Sequence, residues 1–331
     1  MIGVIGSGSW ATAIIKILLE DKAIKVNWWV RNENVRQEIA SHGHNTRHLP
    51  SLSLDSARLS LSGDLSTTVK NSDLLLLVVP SAYVKETLLS IPIESYRNKQ
   101  FVSAIKGTIP SCCTTVSHFL EQHLHIPDND ICVVSGPSHA EEVAIEMPTF
   151  LTVASHNQAL ANKTATLFHC SYCHTSVSDD IDGIEQAVLT KNIYAIAAGI
   201  CQGLGHGDNL NAVLTSAALR ELDNHLQKHV AHPGRRIEDY CYLGDLMVTC
   251  WSKHSRNRAL GIAVANGETP EQVFARTGSV AEGYYSAKNM HSVYQQMNAL
   301  DEIPIADSVY RILYENSDPL REMENLINNV F

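Results

Sequence analysis

The 331-residue chain contains no apolar run of the ~18 residues that a helix needs to span a bilayer. It also lacks an excess of basic charge: 35 Asp and Glu against 25 Lys and Arg leave a net charge of −10. That balance argues against nucleic acid or an anionic membrane as the main partner, and a phosphate-bearing ligand must be held by a local basic cluster. The eight cysteines follow no framework spacing, as expected in a reducing compartment, where they serve as small apolar residues. No basic leader or cleavage site precedes the first strand-like stretch. These absences predict a cytoplasmic protein with no nucleic acid partner and no stable membrane insertion. Internal repeats and low-complexity segments are absent too. Hydrophobic residues make up 44% of the chain, enough for a buried core, and the length predicts two domains.

What is present begins at residue 2. The short apolar stretch Ile2-Gly3-Val4-Ile5 runs into Gly6-Ser7-Gly8-Ser9-Trp10-Ala11, and a helical stretch from Thr12 to Leu19 follows. This strand, glycine turn and helix is the opening of a dinucleotide-binding domain. Gly6 allows the tight turn, Gly8 lets the backbone approach a pyrophosphate, and Ala11 keeps the helix close to its strand. The anion then sits on free N–H groups at the positive end of the helix.

Lys25 to Val30 reads as the second strand. An NAD-specific fold usually places Asp or Glu just beyond it, on the ribose 2′-hydroxyl. Arg31 stands there instead and suits a 2′-phosphate, so NADPH is expected as cofactor alongside NADH. A role for Arg31 on the adenine or in solvent stays open. His42 to Pro50 is a polar loop without convincing ligand spacing. Leu74 to Val79, closed by Pro80, predicts a central parallel strand buried on both faces. Phe101 to Ile105 and Ile131 to Val134 are further strands, delivering Lys106-Gly107 and Ser135-Gly136-Pro137-Ser138. Ligands of open α/β sheets bind off the carboxyl ends of the strands, where Ser81, Lys106 and Ser138 are predicted to lie.

After about Ser178 strand-like runs stop. Helical periodicity covers Ala187–Leu204, Leu210–Leu226, Asp245–Trp251, Pro270–Phe274, Glu282–Leu300, Ile305–Tyr314 and Pro319–Val330. The expected fold is an α/β Rossmann-type nucleotide-binding domain, residues 1–179, followed by an all-α domain, residues 180–331.

Chemistry concentrates in the helical half. Lys191-Asn192 sits in an otherwise apolar helical stretch, Ala187 to Ala198. A lysine there is costly unless paired, and desolvation lowers its pKa toward the range useful for proton transfer. The alternative is a lysine that snorkels from an exposed face. Asp245 lies at a predicted helix start, where it can act as an N-cap, with Thr249 one turn on along the same face. Ser255-Arg256-Asn257-Arg258 reads as a cationic turn able to bind phosphate, or as a solvated charge run. His169-Cys170-Ser171-Tyr172-Cys173-His174 has no second Cys pair to complete a zinc site, so no metal is expected.

Taken in order, these pieces resemble the NAD(P)-dependent glycerol-3-phosphate dehydrogenases of bacterial type, over nearly the whole chain. The resemblance rests on Gly6 to Ala13, Val78-Val79-Pro80-Ser81, Lys106-Gly107, Ser135 to Ser138, Lys191-Asn192, Gly203 to Gly207, Leu243 to Cys250, Ser255 to Arg258 and Val280-Ala281-Glu282-Gly283. It implies reversible reduction of dihydroxyacetone phosphate to sn-glycerol 3-phosphate, supplying glycerophospholipid synthesis. Lys191 is then the proton donor to the C2 oxygen, Asp245 its partner and Lys106 a second cation polarising that oxygen. Thr249 is implied as a hydrogen-bonding bridge, and Arg256 and Asn257 as the grip on the substrate phosphate; Ser138 and Asn192 complete the substrate contacts. The implied cofactor contacts are Gly6, Ser7, Gly8, Ser9, Trp10, Arg31, Pro80, Lys106, Ala140, Arg256 and Glu282. The partner is a small phosphorylated triose, and a homodimer is reasonable. Departures from the family pattern fall at His139, Cys241-Tyr242 and Ser216-Ala217-Ala218, and bear on the pocket wall. Two other readings stand beside this one: a two-domain reductase of a 2-keto or 2-hydroxy acid, and a non-catalytic NAD(P)H-sensing regulator.

Overall fold

The computed structural model describes residues 1–109 and 114–331. Contacts divide the chain into two units, Met1–Ile105 with Thr114–Ile181 and Lys106–Cys113 with Asp182–Phe331. Among the described residues no helix is long and apolar enough to cross a membrane.

The first unit is built on strands β1 (Ile2–Ile5), β2 (Val26–Trp29), β3 (His44–Asn45), β4 (Leu49–Ser53), β5 (Leu59–Ser62), β6 (Leu74–Leu77), β7 (Gln100–Ser103), β8 (Ile131–Ser135), β9 (Thr149–Ala154) and β10 (Cys173–Ser178). Eight of them form one sheet in the order β10-β9-β8-β7-β6-β1-β2-β5, and β3 pairs with β4 separately. All pairings from β5 across to β8 are parallel, so the carboxyl ends of β1, β2, β6, β7 and β8 share one edge. At the far end β9 runs antiparallel to β8, with β10 parallel to β9. The four leucines of β6 are all buried, as a run apolar on both faces requires when helices cover both sides of a sheet. Side-chain caps start the covering helices: Asn32 opens Glu33–His42, Thr115 opens Val116–Leu124 and Asn157 opens Gln158–Phe168.

The polar stretch His42 to Pro50 is not the plain loop the sequence suggests. It holds the helix end at His42, a left-handed Gly43, and the β3–β4 pair. Its alternation is too short to register as strand, and Asn45 within it is fully buried.

The second unit is helical: Ile181–Gly203, Asp208–His229, Asp245–Trp251, Arg256–Ala265, Pro270–Thr277, Glu282–Gln296, Pro304–Tyr314 and Pro319–Asn329. Arg256–Ala265 went unread because its charged first turn and central Gly261 obscure the period. That glycine is a packing necessity. A Cβ on Gly261 would lie 2.1 Å from the carbonyl oxygen of Ile196, and one on Gly199 would lie 2.1 Å from that of Arg258. The helices Ile181–Gly203 and Arg256–Ala265 therefore touch backbone to backbone, which fixes their register. Glu221, buried in Asp208–His229, accepts hydrogen bonds from the backbone N–H groups of Ile305 (2.8 Å) and Ala306 (3.1 Å). It thereby serves the open amides that begin Pro304–Tyr314, and burial pushes its carboxyl up to about 7.

Candidate active site

In the first unit the glycine turn is held rigid by its own carbonyls. The Trp28 indole donates to Gly6 O (2.6 Å), Asn45 Nδ2 donates to Ser7 O (3.0 Å), and Thr12 donates to Gly8 O from both its amide and its hydroxyl. Asn45 Nδ2 also reaches Thr12 Oγ1 at 2.8 Å. Gly6 has φ +125°, and a Cβ there would sit 2.6 Å from Val78 O, so no other residue fits this turn. Gly8 is the N-cap of Ser9–Leu19, offers no side chain to its N–H groups, and has open space where a Cβ would point. The first amides of that helix have no intrahelical partner, and the helix dipole favours an anion beside them. The cradle fits a pyrophosphate.

Trp28 and Asn45 escaped the sequence reading, although each carries a signal. A tryptophan in a buried strand needs an acceptor for its N–H, and a buried asparagine needs partners for its amide. Removing Asn45 leaves Ser7 O and Thr12 Oγ1 without this donor, an effect of about 1–3 kcal/mol. Asn45→Ala is therefore expected to raise the KM for NADH about ten-fold or more with little change in kcat, checked by initial rates at varied cofactor.

Around the same sheet edge, Arg31 is exposed just past β2, and Pro80 caps the short turn that begins with buried Ser81. Ser138 donates its hydroxyl to Gly136 O at 2.9 Å. Gly136, at φ +140°, passes so close to the strand that a Cβ would lie 2.3 Å from Phe150 O. His139 is the N-cap residue of Ala140–Ala144, and Ala140 is its first, buried position.

The second unit contains a buried ion pair. Lys191 and Asp245 are 2% and 1% exposed, and Lys191 Nζ contacts Asp245 Oδ2. Lys106 Nζ lies 3.7 Å from the other oxygen, Oδ1, with 26% of its side chain exposed. One carboxylate thus lies between two ammonium groups. Burial lowers the Lys191 pKa to about 7, Asp245 opposes that shift, and the Lys106 charge adds to it. Such an ammonium is a proton donor matched to neutral pH. The site as a whole carries one surplus positive charge, suited to a developing oxyanion.

Asp245 is not an N-cap: the chain is already helical through Tyr240–Gly244, a π-helical turn, and Gly244 has αR angles. Its carboxylate is instead committed to the lysines. Ser255 to Arg258 is not a free turn. Ser255 is the N-cap of Arg256–Ala265, its hydroxyl accepting from the Arg258 amide. Arg256 occupies the first position of that helix, exposed, with no carboxylate partner among the described residues. Asn257 turns inward and is buried.

Asn257 belongs to a chain of amides. The Gly283 N–H donates to Asn257 Oδ1 (2.9 Å), Asn257 Nδ2 to Asn192 Oδ1 (2.8 Å), and Asn192 Nδ2 to Lys106 O (3.0 Å). The predicted residues Asn192, Asn257 and Lys106 are therefore brought together, with Asn257 joined to the ammonium pair through Asn192 and the Lys106 backbone. Gly283 is obligatory here too, since a Cβ would stand 2.4 Å from Asn192 O. Thr249 donates its hydroxyl back to Asp245 O at 2.5 Å, leaving its oxygen lone pairs as the free acceptor. Glu282, partly buried, opens the helix Glu282–Gln296. Of the departures, Cys241 and Tyr242 are buried in the π-turn that leads into Asp245, while Ala217 and Ala218 are buried within Asp208–His229. Among the described residues no group of three or more His, Cys, Asp or Glu could hold a metal ion.

A Rossmann-type cradle in one unit and a buried lysine–carboxylate acid in the other define a pyridine-nucleotide oxidoreductase of the two-domain type. Family models for the NAD-dependent glycerol-3-phosphate dehydrogenase N-terminus and C-terminus match residues 1–161 and 180–324. The chain belongs to that family. It is 32% identical to the glycerol-3-phosphate dehydrogenase [NAD(P)+] of Staphylococcus haemolyticus (strain JCSC1435) over 327 residues, 98% of this chain and 97% of the relative. The enzyme of the same name from Anaeromyxobacter sp. (strain K) is 33% identical, covering 96% and 94%. The crystal structure of glycerol-3-phosphate dehydrogenase from Coxiella burnetii superposes with a TM-score of 0.88 at 28% identity, covering 99% of this chain and 98% of that one.

Proposed function

We propose that the chain performs the reaction of its family, NAD(P)H-dependent reversible reduction of dihydroxyacetone phosphate to sn-glycerol 3-phosphate, through the Lys191–Asp245–Lys106 cluster. The observation that carries this reading is the buried Lys191 ammonium on Asp245, with the exposed Arg256 on the helix that packs against its own. Residues 1–179 are assigned to the cofactor, with Lys106 and Ser138 also serving the substrate, and residues 180–331 to substrate and catalysis.

Gly6, Ser7, Gly8, Ser9 and Trp10 would hold the pyrophosphate through backbone amides, Arg31 the adenosine ribose, and Pro80 and Ala140 the walls. Lys106, Arg256 and Glu282 are assigned further contacts with the cofactor. When bound, the reduced nicotinamide supplies the hydride that C2 receives. Lys191 gives its proton to the C2 oxygen and takes it back in the reverse direction. Asp245 keeps that lysine charged despite burial, and Lys106 polarises the carbonyl from the carboxylate's other side. Arg256 binds the phosphate, fixing C2 relative to the acid; such remote binding orients the reacting carbon. Asn192 and Asn257 hold the frame between these groups, with Ser138 and Thr249 as hydroxyl contacts. A cytoplasmic location, a homodimer and no nucleic acid partner complete the proposal. The free cysteines fit a reducing compartment, and the acidic net charge fits a non-nucleic-acid role.

The test is initial rates with dihydroxyacetone phosphate, comparing NADH and NADPH side by side. Triose-dependent oxidation of either cofactor is expected, and Arg31→Ala should raise the KM for NADPH more than that for NADH. Cofactor binding with no turnover of any triose phosphate would favour a sensor instead.

A further inference from the structure

Lys106 follows strand β7 in sequence, yet two of its partners are on helices: Asn192 on its carbonyl and Asp245 near its ammonium. Gly107 comes next, a residue whose backbone costs most to order. The amide bond on Lys106 O fixes the chain on one side of that glycine. A second anchor lies on the other side. Asn289, on the helix Glu282–Gln296, donates from Nδ2 to Thr108 Oγ1 at 2.8 Å, and Thr108 is buried. The two amide donors come from different helices and bracket Gly107 from either side.

We propose that Asn289 is a positioning residue for Lys106, acting through the Thr108 hydroxyl to hold the Lys106 ammonium on the Asp245 carboxylate. The Thr108 hydroxyl that Asn289 holds lies two residues of backbone from Lys106. The helix that carries it also begins the amide chain, at the Gly283 N–H. Glu282–Gln296 therefore grips the Lys106 segment at both ends of a short path, through Asn257 and Asn192 on one side and Asn289 on the other. The inference rests on the assignment of Lys106 to the reaction, and the experiment separates the two.

The experiment measures kcat and KM for dihydroxyacetone phosphate reduction in Asn289→Ala, Thr108→Val and Thr108→Ser, each alone and in a Lys106→Ala background, with a thermal melt of every variant. Asn289→Ala and Thr108→Val are expected to lower kcat about ten-fold, with Thr108→Ser, which keeps the acceptor, restoring it. Melting temperatures should stay within about 2 °C. In the Lys106→Ala background the same substitutions should change kcat less than two-fold, because the group they position is gone. A ten-fold loss that persists in that background overturns the proposal, as does wild-type kcat in Asn289→Ala beside a crippled Lys106→Ala. Wild-type kcat in Lys106→Ala itself overturns the assignment of that lysine, and the positioning role with it.

Discussion

Lys191→Ala is expected to lower kcat for dihydroxyacetone phosphate reduction by about 10³-fold, within the range set by loss of a general acid. The fold should survive, because Lys106 remains 3.7 Å from the Asp245 carboxylate and the buried negative charge keeps one counter-ion. Lys191→Met, which retains most of the side-chain volume, separates packing from chemistry and should be equally inactive. The pH dependence carries the same signature. With its pKa lowered to about 7 by burial, Lys191 holds the proton needed for reduction only at and below neutrality. The kcat for reduction should therefore fall as pH rises through about 7, while kcat for oxidation, which needs the neutral amine, should rise. Both limbs should vanish in the residual activity of Lys191→Ala. Stability has the matching sign. The folded pKa lies below the unfolded value of 10.5, so between the two the unfolded chain binds the extra proton. The contribution of Lys191 to stability then increases with pH across that window and is least below it. Full activity in Lys191→Ala would remove this lysine from the mechanism.

Arg256→Ala is the second variant with a large expected effect, a fall in kcat/KM for dihydroxyacetone phosphate of about 10²–10³-fold. Removing one partner of a hydrogen-bonded charge pair costs about 2–5 kcal/mol, and the phosphate offers the guanidinium a bidentate match. Stability should change little, since the side chain is exposed and its helix is capped by Ser255 and locked through Gly261. Arg256→Lys keeps the charge but loses the planar fork, and should recover only part of the loss. The measurement discriminates between substrates as well. A reductase whose substrate is a 2-keto acid without phosphate would show an almost unchanged KM for that substrate in Arg256→Ala.

Local sequence was informative wherever chemistry is decided by neighbours along the chain. A glycine at positive φ next to a strand end, four consecutive leucines, and a lysine inside an apolar helix each carry a cost or a constraint visible within a few residues. Gly6, the strand β6 and the cost of placing Lys191 in an apolar helix were legible for that reason. Their partners were not legible locally: Asp245 as the partner of Lys191, and Asn192 and Asn257 as site residues, came only from the family resemblance. Asp245 looks locally like a cap, and Asn192, Asn257 and Asn289 look like ordinary polar helix residues. Their roles depend on acceptors as far as 86 residues away in the case of Asn192, and 181 in the case of Asn289.

The sequence by itself determined that a nucleotide turn opens the chain, that a helical half follows, and that a lysine in an apolar helix of that half must either find a buried partner or snorkel to the surface. The family resemblance added Asp245 as that partner. Only the tertiary structure decided that Lys191 is buried against Asp245 rather than snorkelling, that Asp245 lies inside a continuous helix between two ammonium groups, that Lys106 bonds to helical residues although it leaves a strand, and that Asn192, Asn257 and Asn289 act as internal struts. The reason is energetic: burying an amide or a charge demands a partner, but the demand does not name one. Which group answers is settled by how closely the backbones pack, and here that is set by glycines at Gly199, Gly261 and Gly283, with no room for a side chain.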